Sequence, residues 1–337
     1  ACGRCGRWGL RRWSPARSCE GGGARRRYSP RTLPLLPVRL RTFSLASLLL
    51  AGAAAAHAQA SPTLRRIQEA GVISIGYRDA SVPFSYLDEQ QRPVGYSIDL
   101  CRRIVEATRR KLGLRDIETR WVAVNAATRI PLVVNGLVDL ECGSTTHTAE
   151  RQRQVAFSVT MFVASTRLLA RKSTPVDRLE DLRGGAVVST VGTTNLKIMQ
   201  DLNQRGGGEF TVLAVPDDNE AFRMVQTERA RAYAMDDVLL HGLIATSANP
   251  ADYTVSSETL SVEPYALMLR KGDPVFKSLV DETLTGLYRS GEIEAIYRRW
   301  FLSPIPPKGA NLRLPLSPVQ QRVFARPTDS PDPAAYR

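Results

Sequence analysis

Reactive side chains are scarce in this 337-residue chain, and the scarcity closes several routes to catalysis. It has three histidines, His57, His147 and His241, none in an H-E-x-x-H metal spacing; His147 reads as decorating a turn. There is no G-x-S-x-G nucleophile elbow and no G-x-x-x-x-G-K-[ST] phosphate loop. Gly206-Gly207-Gly208 lacks a phosphate-loop context and reads as a flexible turn. Of five cysteines, Cys2, Cys5 and Cys19 crowd the start, leaving Cys101 and Cys142 for the rest. Two are too few for a disulfide framework or a structural zinc site. An oxidising compartment would let them pair, but sequence does not establish the distance, and they read as two separate buried thiols. After the leader, no apolar stretch approaches the roughly 20 residues that cross a bilayer. An enzyme finds little to work with here, and no metal or cofactor is expected.

What is abundant is arginine, unevenly placed. The formal net charge of +13 points at first to nucleic acid or an anionic membrane. Residues 1–60, however, hold eleven Arg, no Lys and one acid, Glu20, and so carry +10 of it. Of 46 basic and 33 acidic residues in all, 35 and 32 lie beyond residue 60, a balance of +3. The basic signal belongs to the leader, and no nucleic-acid partner is expected. Arg39 and Arg41 precede a short apolar run over 43–56, followed by Ala56-His57-Ala58 and Ala58-Gln59-Ala60. This order marks residues 38–60 as a signal peptide, with the exported chain starting at Ser61 or, as second choice, Gln59. Residues 1–37, rich in Arg, Gly, Pro and Cys, read as a leader from an overextended reading frame.

Beyond the leader the chain is organised around residues 139–151. An apolar run over 130–140 supplies a buried strand, Gly143-Ser144-Thr145-Thr146 turns, and Thr148 caps a helix that carries Glu150 in its first turn. Backbone N–H groups and hydroxyls crowd there, and Arg151 can reach back with a planar fork of donors, which together suit a carboxylate. A plain capped helix with Arg151 in solvent fits the same residues. Around this stretch, strand-like and helix-like segments alternate in two series, over 72–140 and 186–237, joined by extended crossings near 155–171 and 258–270. Such alternation predicts an α/β fold with two lobes, each a mainly parallel sheet flanked by helices. Residues 61–165 and 263–303 would form the first lobe, 166–262 the second, and 304–337 a Pro-rich polar tail wrapping the surface.

Ligands of such sheets bind beyond the carboxyl ends of the strands. Arg78, Arg129, Ser144, Thr146, Thr193, Thr194 and Asp236 all fall at those ends. Ser144, Thr146 and Arg151 facing Thr193 or Thr194 make a carboxylate pocket. Asp236 suits an ammonium, with a helix N-cap as its ordinary alternative. Arg78 and Arg129 suit a second carboxylate, or else are solvated surface charges.

Several runs resemble the periplasmic glutamate/aspartate-binding proteins of ABC importers. These are Gly71 to Tyr96, Arg129-Ile130-Pro131-Leu132, Glu141-Cys142-Gly143-Ser144-Thr145-Thr146, Gly192-Thr193-Thr194, Met235-Asp236-Asp237, Met268-Leu269-Arg270-Lys271 and Pro304-Ile305-Pro306-Pro307-Lys308. The resemblance implies a hinged clamshell, monomeric and periplasmic, that closes on an acidic amino acid and presents it to a membrane permease. It implies that Ser144, Thr146 and Arg151 hold the α-carboxylate with the Thr193-Thr194 turn. Asp236 with Ser144 would take the ammonium, and Arg78 and Arg129 the side-chain carboxylate. Two positions depart from the family's pattern: Ala126 stands for a Ser, with Asn125 beside it, and Asp218 for a His. An inward Asp218 could accept from an amide, glutamine or asparagine; two cations against one acid still favour the acidic ligand, unless Asp218 is already paired with Arg78 or Arg129 and cancels that cation. A periplasmic dehydratase on the same fold is the enzymatic alternative, disfavoured by the ammonium-binding Asp236.

Overall fold

A computed structural model of the protein describes residues 61–337; the leader, the signal peptide and the alternative start at Gln59 lie outside these residues. The chain begins with α1 (Pro62–Ala70), where the Ser61 hydroxyl accepts from Leu64 N and Gly71 closes the helix. Strand β1 (Val72–Tyr77) follows, then α2 (Tyr96–Leu112), β2 (Glu118–Ala123), α3 (Arg129–Val134) and β3 (Leu140–Glu141). Part of the apolar run over 130–140 is therefore helix. The Asn135-Gly136 break ends α3, and only Leu140 and Glu141 reach the sheet. A one-turn helix α4 (Ala149–Gln152) leads to β4 (Val155–Phe157).

The first crossing, β5 (Phe162–Ala164), carries the chain into β6 (Thr166–Arg171). Then come β7 (Ala186–Thr190), α5 (Thr194–Arg205), β8 (Thr211–Val215), α6 (Asp218–Gln226), β9 (Ala232–Asp236), α7 (Asp237–Thr246) and β10 (Tyr253–Val255). The second crossing, β11 (Glu263–Tyr265), returns to β12 (Met268–Arg270) and the helices α8 (Pro274–Ser290) and α9 (Glu292–Phe301). Two five-stranded sheets result, ordered β2-β1-β3-β12-β4 and β8-β7-β9-β6-β10. The crossings themselves pair antiparallel, Phe162 opposite Tyr265 and Ala164 opposite Glu263.

In each sheet four of the five strands point the same way, as the alternation predicts. The β-α series contributes two parallel pairings to each, and only the strand that follows a crossing, β12 in one sheet and β6 in the other, runs against the rest. A chain that enters a lobe from the hinge side must run against strands that point towards it, which makes both sheets mixed.

Two further expectations are corrected. Cys101 in α2 and Cys142, just past β3, form a disulfide, with α-carbons 6.3 Å apart. They lie 41 positions apart, and the chain between them loops through β2 and α3 and returns to the same core, a proximity that spacing alone could not reveal. The tail is also more than a polar wrap. It contains α10 (Pro318–Ala325), and Val323, Phe324 and Tyr336 are buried. Gln320 accepts from Val163 N (3.0 Å) and donates to Met161 O (3.1 Å), and the Tyr336 hydroxyl meets Thr160 Oγ1 (2.7 Å), so the tail flanks the first crossing. No helix among the described residues is long and apolar enough to cross a membrane.

Candidate functional site

The carboxyl ends of β1, β3, β7 and β9 face one another across the gap between the sheets, and polar side chains fill it. Arg78, Arg129, Ser144 and Thr146 from one lobe and Thr193, Thr194, Asn195, Asp218 and Asp236 from the other line a single cavity of 10 Å³. That is room for about one water molecule. The two lobes are shut on each other.

The first lobe supplies the donors. Arg78 follows β1, and its backbone N donates to Ser85 Oγ (2.8 Å). Arg129 opens α3, and its Nη1 donates to Thr145 Oγ1 (2.6 Å), which in turn donates to Glu141 Oε2 (2.7 Å). Burial, with Arg151 and Arg78 nearby, lowers the Arg129 guanidinium to about 9, opposed by Glu141. The Nε atoms of Arg78 and Arg129 and the Ser144 hydroxyl are buried without a partner among the described residues. Thr148 caps α4 by accepting from Arg151 N (3.1 Å). Arg151 does bend back rather than lie in solvent, but its fork rests on two carbonyls, Thr146 O (2.8 Å) and Gly192 O (3.0 Å) of the facing lobe. It lines a neighbouring 730 Å³ cavity, which shares Thr146, Thr193 and Thr194 with the small one and extends to Lys197, Glu263 and the tail residues Pro331, Pro333 and Arg337.

The second lobe supplies acceptors. Thr193 caps α5, accepting from Leu196 N (3.2 Å). Asp217 is the cap of α6, which frees Asp218 to turn inward. Asp218 accepts from Thr190 Oγ1 (2.7 Å), Tyr233 OH (3.0 Å) and, across the cleft, Arg78 Nη2 (3.3 Å). Asp236 precedes α7 but makes no side-chain cap. Its Oδ1 accepts from Asn195 Nδ2 (2.7 Å), and its Oδ2 from the Tyr265 hydroxyl. Burial first, and then Glu263, raises the Asp236 carboxyl to about 8, against the pull of those two donors.

Sequence reasoning missed four residues here. Glu263 on the second crossing is buried and accepts from Thr194 Oγ1 (2.7 Å). An acid between Val262 and Pro264 in an extended apolar crossing was the available signal. Tyr265, Asn195 and Glu141 carried none. Asn125 stays outside the cavity, where its Oδ1 accepts from Ala127 N and Thr128 N. His147 does not decorate a turn. It is buried, stacked on Phe157 at 4.3 Å, and its burial lowers its basicity.

Glycine lets the lobes approach this closely. A Cβ on Gly192, where φ is +82°, would lie 2.6 Å from Ala126 O, and one on Gly242 in α7 would lie 2.4 Å from Val82 O.

Residues 73–303 match the family described as bacterial extracellular solute-binding proteins, family 3. The chain is similar to an L-glutamate/L-aspartate-binding protein of Pseudomonas aeruginosa, 44% identical over 296 residues, covering 88% of this chain and 97% of that one. It is also similar to a glutamate/aspartate import solute-binding protein of Escherichia coli, 42% identical over 270 residues, covering 80% and 89%. Among solved structures, a mutant of ArgBP from T. maritima superposes with a TM-score of 0.61 at 27% identity, covering 71% of this chain and 98% of that one.

Proposed function

The chain belongs to the bacterial extracellular solute-binding proteins of family 3, and on that premise we propose that it is the binding component of an ABC importer for an acidic L-amino acid, glutamate or aspartate. The observation that carries this reading is the division of the cleft, with cations and hydroxyl donors on one wall and carboxylates on the other. A zwitterion with a second carboxylate finds an opposite charge for each of its own. Ser144, Thr146 and the Thr193-Thr194 turn hold the α-carboxylate, with Arg151 behind them. Asp236 and Ser144 take the ammonium, and Arg129 and Arg78 face the side chain. The cavity has room for about one water, so the lobes must part to admit an amino acid and close again around it, and the ligand shifts that balance by its differential affinity for the form closed on it. The closed monomer then docks on a membrane permease in the periplasm. No reaction is assigned, because each cleft group finds a role in holding a ligand.

One observation favours a second reading. Asp218 already engages Arg78, so the side-chain subsite keeps one uncancelled cation, Arg129, and an amide becomes a competitor. Calorimetric titration with glutamate, aspartate, glutamine and asparagine decides between the two. Saturable binding of an acid, tighter than that of either amide, is expected; tighter binding of either amide than of both acids would overturn the acidic assignment.

A further inference from the structure

We infer that Tyr265, on the second crossing between the lobes, is a positioning residue that ties ammonium recognition by Asp236 to the hinge. The inference rests on the function proposed above and deepens it.

Tyr265 touches everything that must move together. Its backbone is stitched to the first lobe: it bridges Thr146, its carbonyl accepts from Met161 N (2.9 Å), and the adjacent Ala266 N donates to Thr145 O (3.0 Å). Those bonds bind it to the Ser144–Thr146 turn that presents hydroxyls to the cleft. Its pairing with Phe162 links it to the other crossing. Its ring packs edge-on against Phe84 at 5.2 Å, deep in the first lobe. Its hydroxyl alone reaches into the second lobe, where it donates to Asp236 Oδ2. A fully buried phenol with one hydrogen to give has placed it on the carboxylate assigned to the ammonium.

The neighbours of Asp236 explain why that donor matters. Glu263 on the same crossing and Asp237, next in the chain, both oppose its ionisation, and so does burial. Arg151 is the cation whose charge it feels from the first lobe. Arg78 and Arg129 line the far side of the cavity. Asn195 is neutral and donates to Oδ1, and Thr194, also neutral, donates to Glu263. An ionised Asp236 is what an ammonium needs, and the two hydrogen bonds from Tyr265 and Asn195 favour that form. With one donor on each oxygen, the carboxylate is fixed in rotation and keeps a lone pair on each oxygen for the ligand. The donor to Oδ2 rides on the hinge strand, so any opening that shifts β11 against β9 loosens the acceptor.

The test is Tyr265→Phe, which retains the ring packing and deletes the hydroxyl. Dissociation constants for glutamate and aspartate are measured by calorimetry from pH 6 to pH 9, with thermal melts alongside. The wild type should bind more tightly as pH rises from 6 towards 9, since Asp236 must give up its proton to meet the ammonium. The variant should bind about tenfold or more weakly at pH 6–7 and recover towards wild type as pH rises, since Asp236 without its donor holds its proton to higher pH. Equal affinity at every pH, or a loss that is the same at every pH, would show a merely structural role and overturn the inference. Should Tyr265→Phe fail to fold, 3-fluorotyrosine at position 265, a stronger donor of nearly the same shape, should tighten binding most at the low-pH end, and no change there overturns the inference. A wild type that binds neither acid overturns the proposed function and this inference with it; wild-type binding with an unresponsive variant overturns this inference alone.

Discussion

The two walls of the cleft are built from opposite chemistry, and neither is comfortable alone. The first lobe gathers three buried guanidiniums, Arg78, Arg129 and Arg151, over one acid, Glu141; the second and the hinge gather Asp218, Asp236 and Glu263 with no buried cation of their own among the described residues. Burial first, and like charges on the same wall second, disfavour the charged forms, as the lowered Arg129 and the raised Asp236 show. Bringing the walls together relieves part of this through Arg78–Asp218. A ligand with charges of both signs would relieve more. The contrast teaches that recognition here is divided between halves that each hold an unfavourable charge state until closure.

The hardest test removes the donor wall's central cation. Arg129→Ala should weaken amino-acid binding by ~3–5 kcal/mol, more than a hundredfold by calorimetry. Arg151→Ala should cost less, because its fork already rests on Thr146 and Gly192 carbonyls; a larger loss from Arg151 would reverse their ranking. The walls also differ in how they are fastened. Only the first has a disulfide, which anchors Cys142 two residues before Ser144. Opening that loop of 41 residues should lower stability by about 4 kcal/mol from chain entropy alone, read as a lower melting temperature for Cys101→Ala/Cys142→Ala.

On the acceptor wall, Asp236→Asn should abolish tight binding yet stabilise the ligand-free protein on the order of 2 kcal/mol near neutral pH. The sign follows from linkage. A carboxyl whose folded pKa is raised to about 8 stays protonated in the fold while the unfolded chain ionises near 4, so stability falls as pH rises through that window. The stabilisation by Asp236→Asn should therefore vanish near pH 4, and melts that show the same gain at both pH values would contradict it. The smallest effect concerns the fit of the walls. Gly242→Ala should hinder closure by about 1 kcal/mol, roughly a fivefold loss of affinity with a larger ligand-bound radius by scattering.

What could be read from the sequence was whatever a local signal decides. Thr148 caps its helix as its spacing implies, because capping needs only three residues of context. Strand ends placed Arg78, Thr194 and Asp236 near one plane for the same reason. Asp236 was ambiguous between a cap and a free acceptor, and distant Asn195 and Tyr265 are what hold it away from the cap. The Arg78–Asp218 pair spans 140 residues and Cys101–Cys142 spans 41, and no periodicity encodes either meeting. Glu263 and Tyr265 gain meaning only when the two crossings lie side by side. Residues 130–134 read as a helix entry and as part of a buried strand alike, because a short apolar run fits either.

The tail offers a practical handle. Arg337 shares a cavity wall with Lys197 and Ile198 of the facing lobe, while Gln320 and Tyr336 root the same segment on the first crossing. An environment-sensitive fluorophore attached at position 337 would be carried by one lobe and look at the other. Its emission would change each time the lobes part, which makes this position a natural place to convert the protein into an optical sensor for its own ligand.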